Sequence, residues 1–476
     1  MASAKSASLW AIVGNIGTRG LSFVFFLLIA RVLTPAHLGV LSLALAFGLF
    51  LDAVIEFGLV DQVVRHQDGD AQRFFSTVFW SHVALSVVGM LVMMAVSPWV
   101  AQWYQEPELR VAMVGVAVAS AFQGVSLVPS ALLTRRFEQK ALAKRNAAAA
   151  LAGGGIGLAL AYGGYGVRAL VALQVVNSLT GLLMVWISAK WTPLMHWRLL
   201  DLQPVLRLAR HSLGARLLDT VVNRLDQLMI GSIFGASALG LYALAIRLYD
   251  VLFQAICLPI AGVMLPYLAP MAQDKIGFKK RYLLVLETTS LVVPPLFIVG
   301  ALCLPDLLPV LFGAKWMPAA PYIHIILGVG AVQAMAFTHT PAFAALGKPW
   351  ANLLTSSVAT VAWLFALLAL PGKGAIYAAL LWAGRAALGT SVQVGLMRYL
   401  ADMRLPDYWR ATKATWLSAS ALFVSLWVLR SSDVIPSGPW WNGVTSGVLA
   451  GLMFGAAAIA NSDHIRQFLL SKRKGD

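Results

Sequence analysis

The chain has 476 residues, of which 59% are hydrophobic and only 12% charged, with a formal net charge of +16. Its mean hydropathy is +0.77. Such a surface aggregates in water and is the expected exterior of a protein solvated by lipid, which excludes most soluble enzyme chemistry.

A membrane-crossing helix needs roughly 20 mostly apolar residues. Runs of that kind are expected at 9–30, 38–63, 75–103, 109–133, 142–162, 166–189, 211–234, 237–268, 282–311, 320–345, 349–370, 374–397, 410–429 and 440–461. The fold class is therefore an all-α polytopic membrane protein of about 14 transmembrane helices. Of the 36 Lys and Arg residues, 25 fall on the termini and the even-numbered connections and only 6 on the odd-numbered ones. The positive-inside rule then places both termini and the basic connections in the cytoplasm. The basic excess is a topology signal, and no nucleic-acid partner is expected, because no basic patch is interleaved with base-stacking aromatics. The first apolar run is long enough to be a retained span rather than a cleaved leader.

Internal duplication is expected. Leu33 to Leu43 aligns with Phe234 to Leu244, Ser97-Pro98 with Leu304-Pro305, Gly164-Tyr165-Gly166 with Gly372-Lys373-Gly374, and Pro129 with Pro341. Four matches in order predict two pseudo-symmetric six-helix bundles, residues 1–200 and 201–405, followed by two extra helices and a basic tail in 406–476. Parallel repeats of this kind place a substrate cavity between the bundles.

Among the connections, Arg135 to Leu142 and Trp197 to Arg210 have the pattern of amphipathic helices lying along a leaflet. Trp99, Trp103, Trp316, Trp440 and Trp441 at one set of ends, and Trp191, Trp197, Trp409 and Trp416 at the other, are expected to form an aromatic belt. The run Gly153-Gly154-Gly155-Ile156-Gly157 lacks the strand–turn–helix context of a dinucleotide loop and points to close helix packing. Two cysteines, Cys257 and Cys303, provide no zinc pattern. No HExxH, GxSxG or loop carboxylate pair is placed for catalysis. Neither a cofactor, a metal nor an enzymatic activity is expected.

Ionisable groups inside spans carry the functional signal, since each is costly unless paired or hydrated. Arg216, Asp219, Asn223, Asp226 and Gln227 follow one helical arc with Arg224 at its edge. Arg247, Asp250 and Gln254 form a second stripe, and Asn15 with Arg19 and Asp52 with Glu56 sit at i, i+4. Arg385 lies in the twelfth run. Arg suits a phosphate or pyrophosphate through its planar fork of donors. Asp52 and Glu56 either carry a coupling ion or pair with Arg19. The five embedded acids match the five embedded Arg in number, so counting alone does not prove a cationic cavity. Pro259, Pro266, Pro294 and Pro295 are expected to bend or interrupt the eighth and ninth runs.

Several segments resemble those of the polysaccharide transporter family, the oligosaccharide-lipid flippases of the multidrug/oligosaccharidyl-lipid/polysaccharide superfamily. They are Arg31-Val32-Leu33-Thr34-Pro35 leading to Leu38-Gly39, and Glu56-Phe57-Gly58-Leu59. Next come Trp103-Tyr104-Gln105-Glu106-Pro107-Glu108-Leu109 and Leu132-Leu133-Thr134-Arg135-Arg136-Phe137. Asp226-Gln227-Leu228-Met229-Ile230-Gly231 with Leu239-Gly240-Leu241-Tyr242, and Leu311-Phe312-Gly313-Ala314-Lys315-Trp316, complete the series. The resemblance covers roughly residues 8–400 and implies a V-shaped pair of bundles around a polar cavity. It implies a flippase for an undecaprenyl-pyrophosphate-linked oligosaccharide of lipopolysaccharide or exopolysaccharide, in the bacterial inner membrane, with a polysaccharide polymerase and export machinery as partners. By the same resemblance Arg19, Arg31, Arg216, Arg224, Arg247 and Arg385 are candidates for substrate binding, and Asp52, Glu56, Asp219, Asp226 and Asp250 for charge balance or ion coupling. A multidrug/cation antiporter and a peptidoglycan lipid-precursor flippase are the alternatives within the superfamily. A membrane-bound polysaccharide polymerase or ligase would need a long loop on the far side.

Overall fold

The computed structural model describes residues 2–56, 63, 71–198, 203–369, 374–431, 445, 447–449 and 451–453. Among these residues every regular element is a helix, as expected for an all-α membrane protein. In hydrocarbon a helix satisfies its own backbone polar groups, which an open sheet edge cannot do.

The chain forms two compact units, residues 1–243 and 244–476. The first begins with α1 (Ala2–Ala30), α2 (Pro35–Glu56), α3 (Ala71–Trp103), α4 (Pro107–Arg135), α5 (Gln139–Tyr162) and α6 (Val167–Ala189). These match the first six expected spans. A long segment, α7 (Gln203–Leu268), follows and breaks at Gly235, whose φ of 81° and ψ of 171° are not helical. Residues 203–234 and 236–268 are its two arms, corresponding to the seventh and eighth spans. Pro259 and Pro266 lie inside the second arm.

The second unit continues with α8 (Lys275–Ser290), α9 (Val293–Leu311), α10 (Ala320–Ala336) and α11 (His339–Ala345). It is completed by α12 (Trp350–Ala369), α13 (Ala375–Ala401) and α14 (Leu405–Ser431). The expected ninth span is two helices. Pro294 and Pro295 cannot continue α8, since each lacks an N–H and its ring collides with the preceding turn, so they occupy the first turn of α9. The tenth span likewise breaks at Phe337–Thr338. The fourteenth lies mostly outside the described residues.

The duplicated signatures perform duplicated backbone tasks. Gly166 (φ 54°) and Gly374 (φ 81°) each stand immediately before a helix in a conformation that a side chain resists. Lys190 (φ 45°) and Asp402 (φ 52°) each end the following helix in the left-handed region. The most exacting pair is Gly39 and Gly240. A Cβ on Gly39 would collide with the Ala236 carbonyl oxygen, and a Cβ on Gly240 with the Pro35 carbonyl oxygen. The contact is reciprocal: Pro35 answers Ala236 as Gly39 answers Gly240, all within the first unit.

Small residues also set the α5–α6 approach, as expected from the Gly153–Gly157 run. A Cβ on Gly153 would fall 2.7 Å from the Leu173 carbonyl oxygen, and one on Gly157 2.7 Å from the Leu173 Cβ. Between helices in lipid such packing replaces a hydrophobic driving force.

Four expectations are corrected. Residues 135–142 are not one amphipathic helix, because Arg135 ends α4, Phe137 turns the chain with a φ of 59°, and α5 starts at Gln139. Trp197 and Arg198 are not helical. Instead, residues 190–198 form an extended strap held on α3, with Leu194 N–H donating to Ser76 Oγ (2.9 Å) and Trp80 Nε1 donating to the Leu194 carbonyl (2.9 Å). Trp316 is fully buried, so it packs in the protein rather than anchoring in lipid headgroups. Trp191 is also buried and donates to Gln72 Oε1 at 2.7 Å. The belt expectation fits Trp99, Trp103, Trp197 and Trp409, which are exposed, while Trp440 and Trp441 lie outside the described residues.

Candidate functional site

The signature segments mostly build corners. Thr34 caps α2: its Oγ1 accepts from the His37 N–H at 3.4 Å, and Pro35 fills the first helical position, where its missing N–H costs nothing. Leu33 is buried behind this cap, while Arg31 is exposed. In the α3–α4 turn Gln105 adopts a φ of 54°, Pro107 opens α4 and Tyr104 Oη donates to the Leu228 carbonyl at 3.2 Å. Arg136 donates to the Ala189 carbonyl at 2.8 Å, and Arg135 lies over the Phe75 ring at 5.3 Å. Gly313 turns the chain with a φ of 96° ahead of the buried Trp316.

Asp226 belongs to this group. Its carboxylate accepts from Tyr242 Oη at 2.6 Å and from the Gln227 N–H at 2.9 Å, and the residue is buried. The bond joins the Asp226-Gln227 signature to the Leu239-Gly240-Leu241-Tyr242 signature and so braces the break at Gly235. A carboxylate engaged in this way serves as a tie between the two arms of α7.

The other candidate charges divide by unit. In the first, Arg19 is exposed on α1 and Arg224 is half-buried on the first arm of α7; neither makes a hydrogen bond or ion pair among the described residues. Asp52 lies on α2 within hydrogen-bonding reach of the Ser120 hydroxyl, and Glu56 ends the same helix. Arg216 and Asp219 fall in the first arm of α7, with side chains outside the described residues, as is Asn15. In the second unit Arg247 and Asp250 lie one turn apart within electrostatic reach of each other. Arg385 is half-buried on α13.

Sequence reading missed Arg145. It falls near the start of the expected 142–162 span and is absent from the candidate charges, yet α5 starts at Gln139 and carries Arg145 inward in its second turn. The half-buried guanidinium bonds only to neutral acceptors among the described residues, Ser130 Oγ at 2.8 Å and Asn146 Oδ1 at 3.0 Å. Ser130 follows Pro129, which lies inside α4. The one available signal was the absence of any Gly or Pro between Lys140 and Ala150.

Among the candidate guanidiniums of the first unit, Arg19, Arg145 and Arg224 show no carboxylate partner among the described residues. Its Asp226 is committed to Tyr242. A guanidinium taken from water gains most from a hydrogen-bonded anion, and a phosphate matches its fork of donors. No group of three or more His, Cys, Asp or Glu residues able to hold a metal ion occurs among the described residues.

Residues 28–321 match a family described as polysaccharide biosynthesis protein. The succinoglycan biosynthesis transport protein ExoT of Rhizobium meliloti is 25% identical over 321 residues, 67% of this chain and 64% of that protein, so the match spans slightly less than two thirds of ExoT. The teichuronic acid biosynthesis protein TuaB of Bacillus subtilis is 21% identical over 76% of this chain and 79% of its own length. The lipopolysaccharide biosynthesis protein WzxC of Escherichia coli is 20% identical over 69% of this chain and 67% of its own length. Among solved structures, the lipid II flippase MurJ in an inward closed conformation superposes with a TM-score of 0.75 at 10% identity, over 96% of this chain and 100% of that one. An inward-facing multidrug resistance MATE family transporter of the MOP superfamily gives 0.62 at 12% identity, over 85% of this chain and 95% of that one. These likenesses establish a shared fold.

Proposed function

Since the chain belongs to the polysaccharide biosynthesis protein family, we propose that it is a flippase for an undecaprenyl-pyrophosphate-linked oligosaccharide, a lipopolysaccharide or exopolysaccharide repeat unit. The observation that carries this reading is the set of unneutralised guanidiniums in the first unit, with the half-buried Arg145 held only by neutral acceptors. An anionic head group supplies the missing partner. Sugars and a pyrophosphate cannot enter hydrocarbon without losing their hydration, so the head needs a polar route while the polyprenyl tail stays in lipid. Arg19, Arg31, Arg145, Arg216, Arg224, Arg247 and Arg385 are the residues proposed to hold the head, and Asp52, Glu56, Asp219 and Asp250 those proposed to balance charge or couple an ion.

Bundles at 1–200 and 201–405 with an additional 406–476 segment form the working unit in this proposal, and alternating access moves the cargo. The chain sits in the bacterial inner membrane with both termini cytoplasmic, near a polysaccharide polymerase and export machinery. An organic cation as cargo, the multidrug reading, fits poorly with spare positive charge. A lipid-linked peptidoglycan precursor shares the anionic chemistry and differs only in its sugars.

The test is translocation of a lipid-linked glycan in reconstituted vesicles, comparing wild type with Arg145→Ala, Arg224→Ala and Arg19→Ala. Loss of one charge-assisted contact is worth about 1.5–3 kcal/mol, a fall of roughly tenfold or more in transport. Unchanged transport in all three variants, each inserted normally, removes the anion-binding role.

A further inference from the structure

Residues 190–198, the strap on α3, are not helical yet are held closely. Trp191 is buried at the base of the strap, with the Phe79 ring centred 5.7 Å away and the Trp186 ring 6.2 Å away. Gln72 Nε2 donates to the Thr192 carbonyl at 2.7 Å, and Ser76 and Trp80 hold the N–H and the carbonyl of Leu194. Trp197 Nε1 then donates to Ser81 Oγ at 3.0 Å. From Gln72 to Ser81 the strap therefore climbs about two and a half turns of α3. Met195, between the last two anchors, is 92% exposed, and Trp197 is 59% exposed. Bonds on both sides of Met195 leave the strap little freedom to fold back, so the fold itself holds these side chains out.

The level at which they stand follows from the length of α3. Its 33 residues span about 50 Å, whereas the hydrocarbon of a bilayer is about 30 Å thick. The exposed Trp99 and Trp103 suit the headgroup boundary at the far end of α3. The excess length then falls at the start of the helix and brings Ser81, with Trp197, to the opposite boundary. The surroundings there are basic. At this end of the first unit Arg73, Arg136, Lys140, Lys144, Lys190 and Arg198 are exposed, against the exposed acids Glu56 and Glu138 among the described residues. Phe137, at the α4–α5 corner, is exposed among them. Apolar tips ringed by cations at a headgroup boundary complement an anionic leaflet, since the tips enter the acyl edge and the cations meet phosphates.

We propose that the strap is a docking surface for anionic phospholipid headgroups of the cytoplasmic leaflet. Met195 and Trp197 insert below the phosphates, and Lys190 and Arg198 contact them. The leaflet is the one to which the positive-inside rule assigns these connections. A surface helix meets a leaflet through the periodicity of its apolar face. Here bonds from α3 take the place of that periodicity, so the lipid contact is passed directly to a spanning helix and sets the depth of α3 in the bilayer.

The experiment places a nitrobenzoxadiazole label on Met195→Cys in the full chain, reconstituted in nanodiscs. Wild type, whose Cys257 and Cys303 are both buried, is the labelling blank. Quenching of the label is compared among doxyl-labelled phosphatidylglycerol, doxyl-labelled phosphatidylcholine and aqueous iodide. Both lipids are expected to quench it and iodide to leave it bright, with phosphatidylglycerol stronger than phosphatidylcholine by about twofold or more. Adding Lys190→Gln and Arg198→Gln is expected to abolish that preference and leave the label in the bilayer. A label reached by iodide and not by lipid overturns the insertion. Equal quenching by the two lipids while the cations are present, or a preference that survives their removal, overturns the anionic docking. If the variant lacking both cations misfolds, the comparison with the cations present decides alone. No glycan enters either arm, so failure here leaves the transport reading standing.

Discussion

At one corner of the second unit, Lys279 and Asp407 tie two helix ends together. Lys279 Nζ sits 2.6 Å from Asp407 Oδ2 and donates to the Asp402 carbonyl at 3.0 Å, while Asp407 also accepts from the Arg404 N–H at 2.9 Å. These bonds dock the start of α14 on α8. The Lys279 ammonium, followed by the Arg404 N–H, holds the Asp407 carboxyl below its ordinary value of 3.8. A depressed carboxylate stabilises the fold fully above its unfolded pKa, and that stabilisation is lost as pH falls through the folded value. The melting-temperature gap between wild type and Asp407→Asn is therefore expected to be constant above about pH 5 and to shrink below about pH 4. A gap that widens on acidification contradicts this. Residues of this kind were opaque to sequence reading. Arg145 is not singled out by its sequence and Asp226 reads as a site charge, because periodicity places a residue on a helix without naming what its side chain touches.

At the scale of elements, the reciprocal Gly39–Gly240 contact is the most demanding feature. In each direction the neighbour is a backbone carbonyl, which cannot turn aside as a flexible side chain can. Gly240→Ala is expected to force α2 from residues 236–243 and to cost about 1–3 kcal/mol, in the range of overpacked cores. Gly155→Ala, where a Cβ meets nothing within 4 Å, is the control. A lowered melting temperature in the first variant alone is the predicted pattern; equal melting temperatures would show that the helices yield freely. Helices themselves were largely legible, since each needs one apolar run and most stops are Gly or Pro, as at Gly166, Gly235, Gly374 and Pro294-Pro295. The α4–α5 corner was not. Phe137 adopts a left-handed φ there with no Gly or Pro to announce it, and a basic amphipathic pattern hid the turn. The 190–198 strap escaped for a related reason: its order comes from side chains on α3, 120 positions distant at Gln72–Thr192.

For the whole molecule, most of the family signatures serve the backbone, while most of the charges proposed to meet the cargo lie elsewhere, Arg31 and Glu56 belonging to both sets. The signatures cap α2, turn α3 into α4, brace Gly235 and seat Trp316; all are tasks of architecture, which explains why they identify a fold more readily than a cargo. In the proposed reading, Arg19, Arg145 and Arg224 of the first unit are what select an anionic cargo. The direct measurement is the rate at which purified protein in vesicles moves a pyrophosphate-linked polyprenyl oligosaccharide between leaflets. The account predicts movement above protein-free vesicles, reduced at least tenfold in Arg145→Ala; a wild-type rate equal to that of empty vesicles, with the protein folded and inserted, would contradict it.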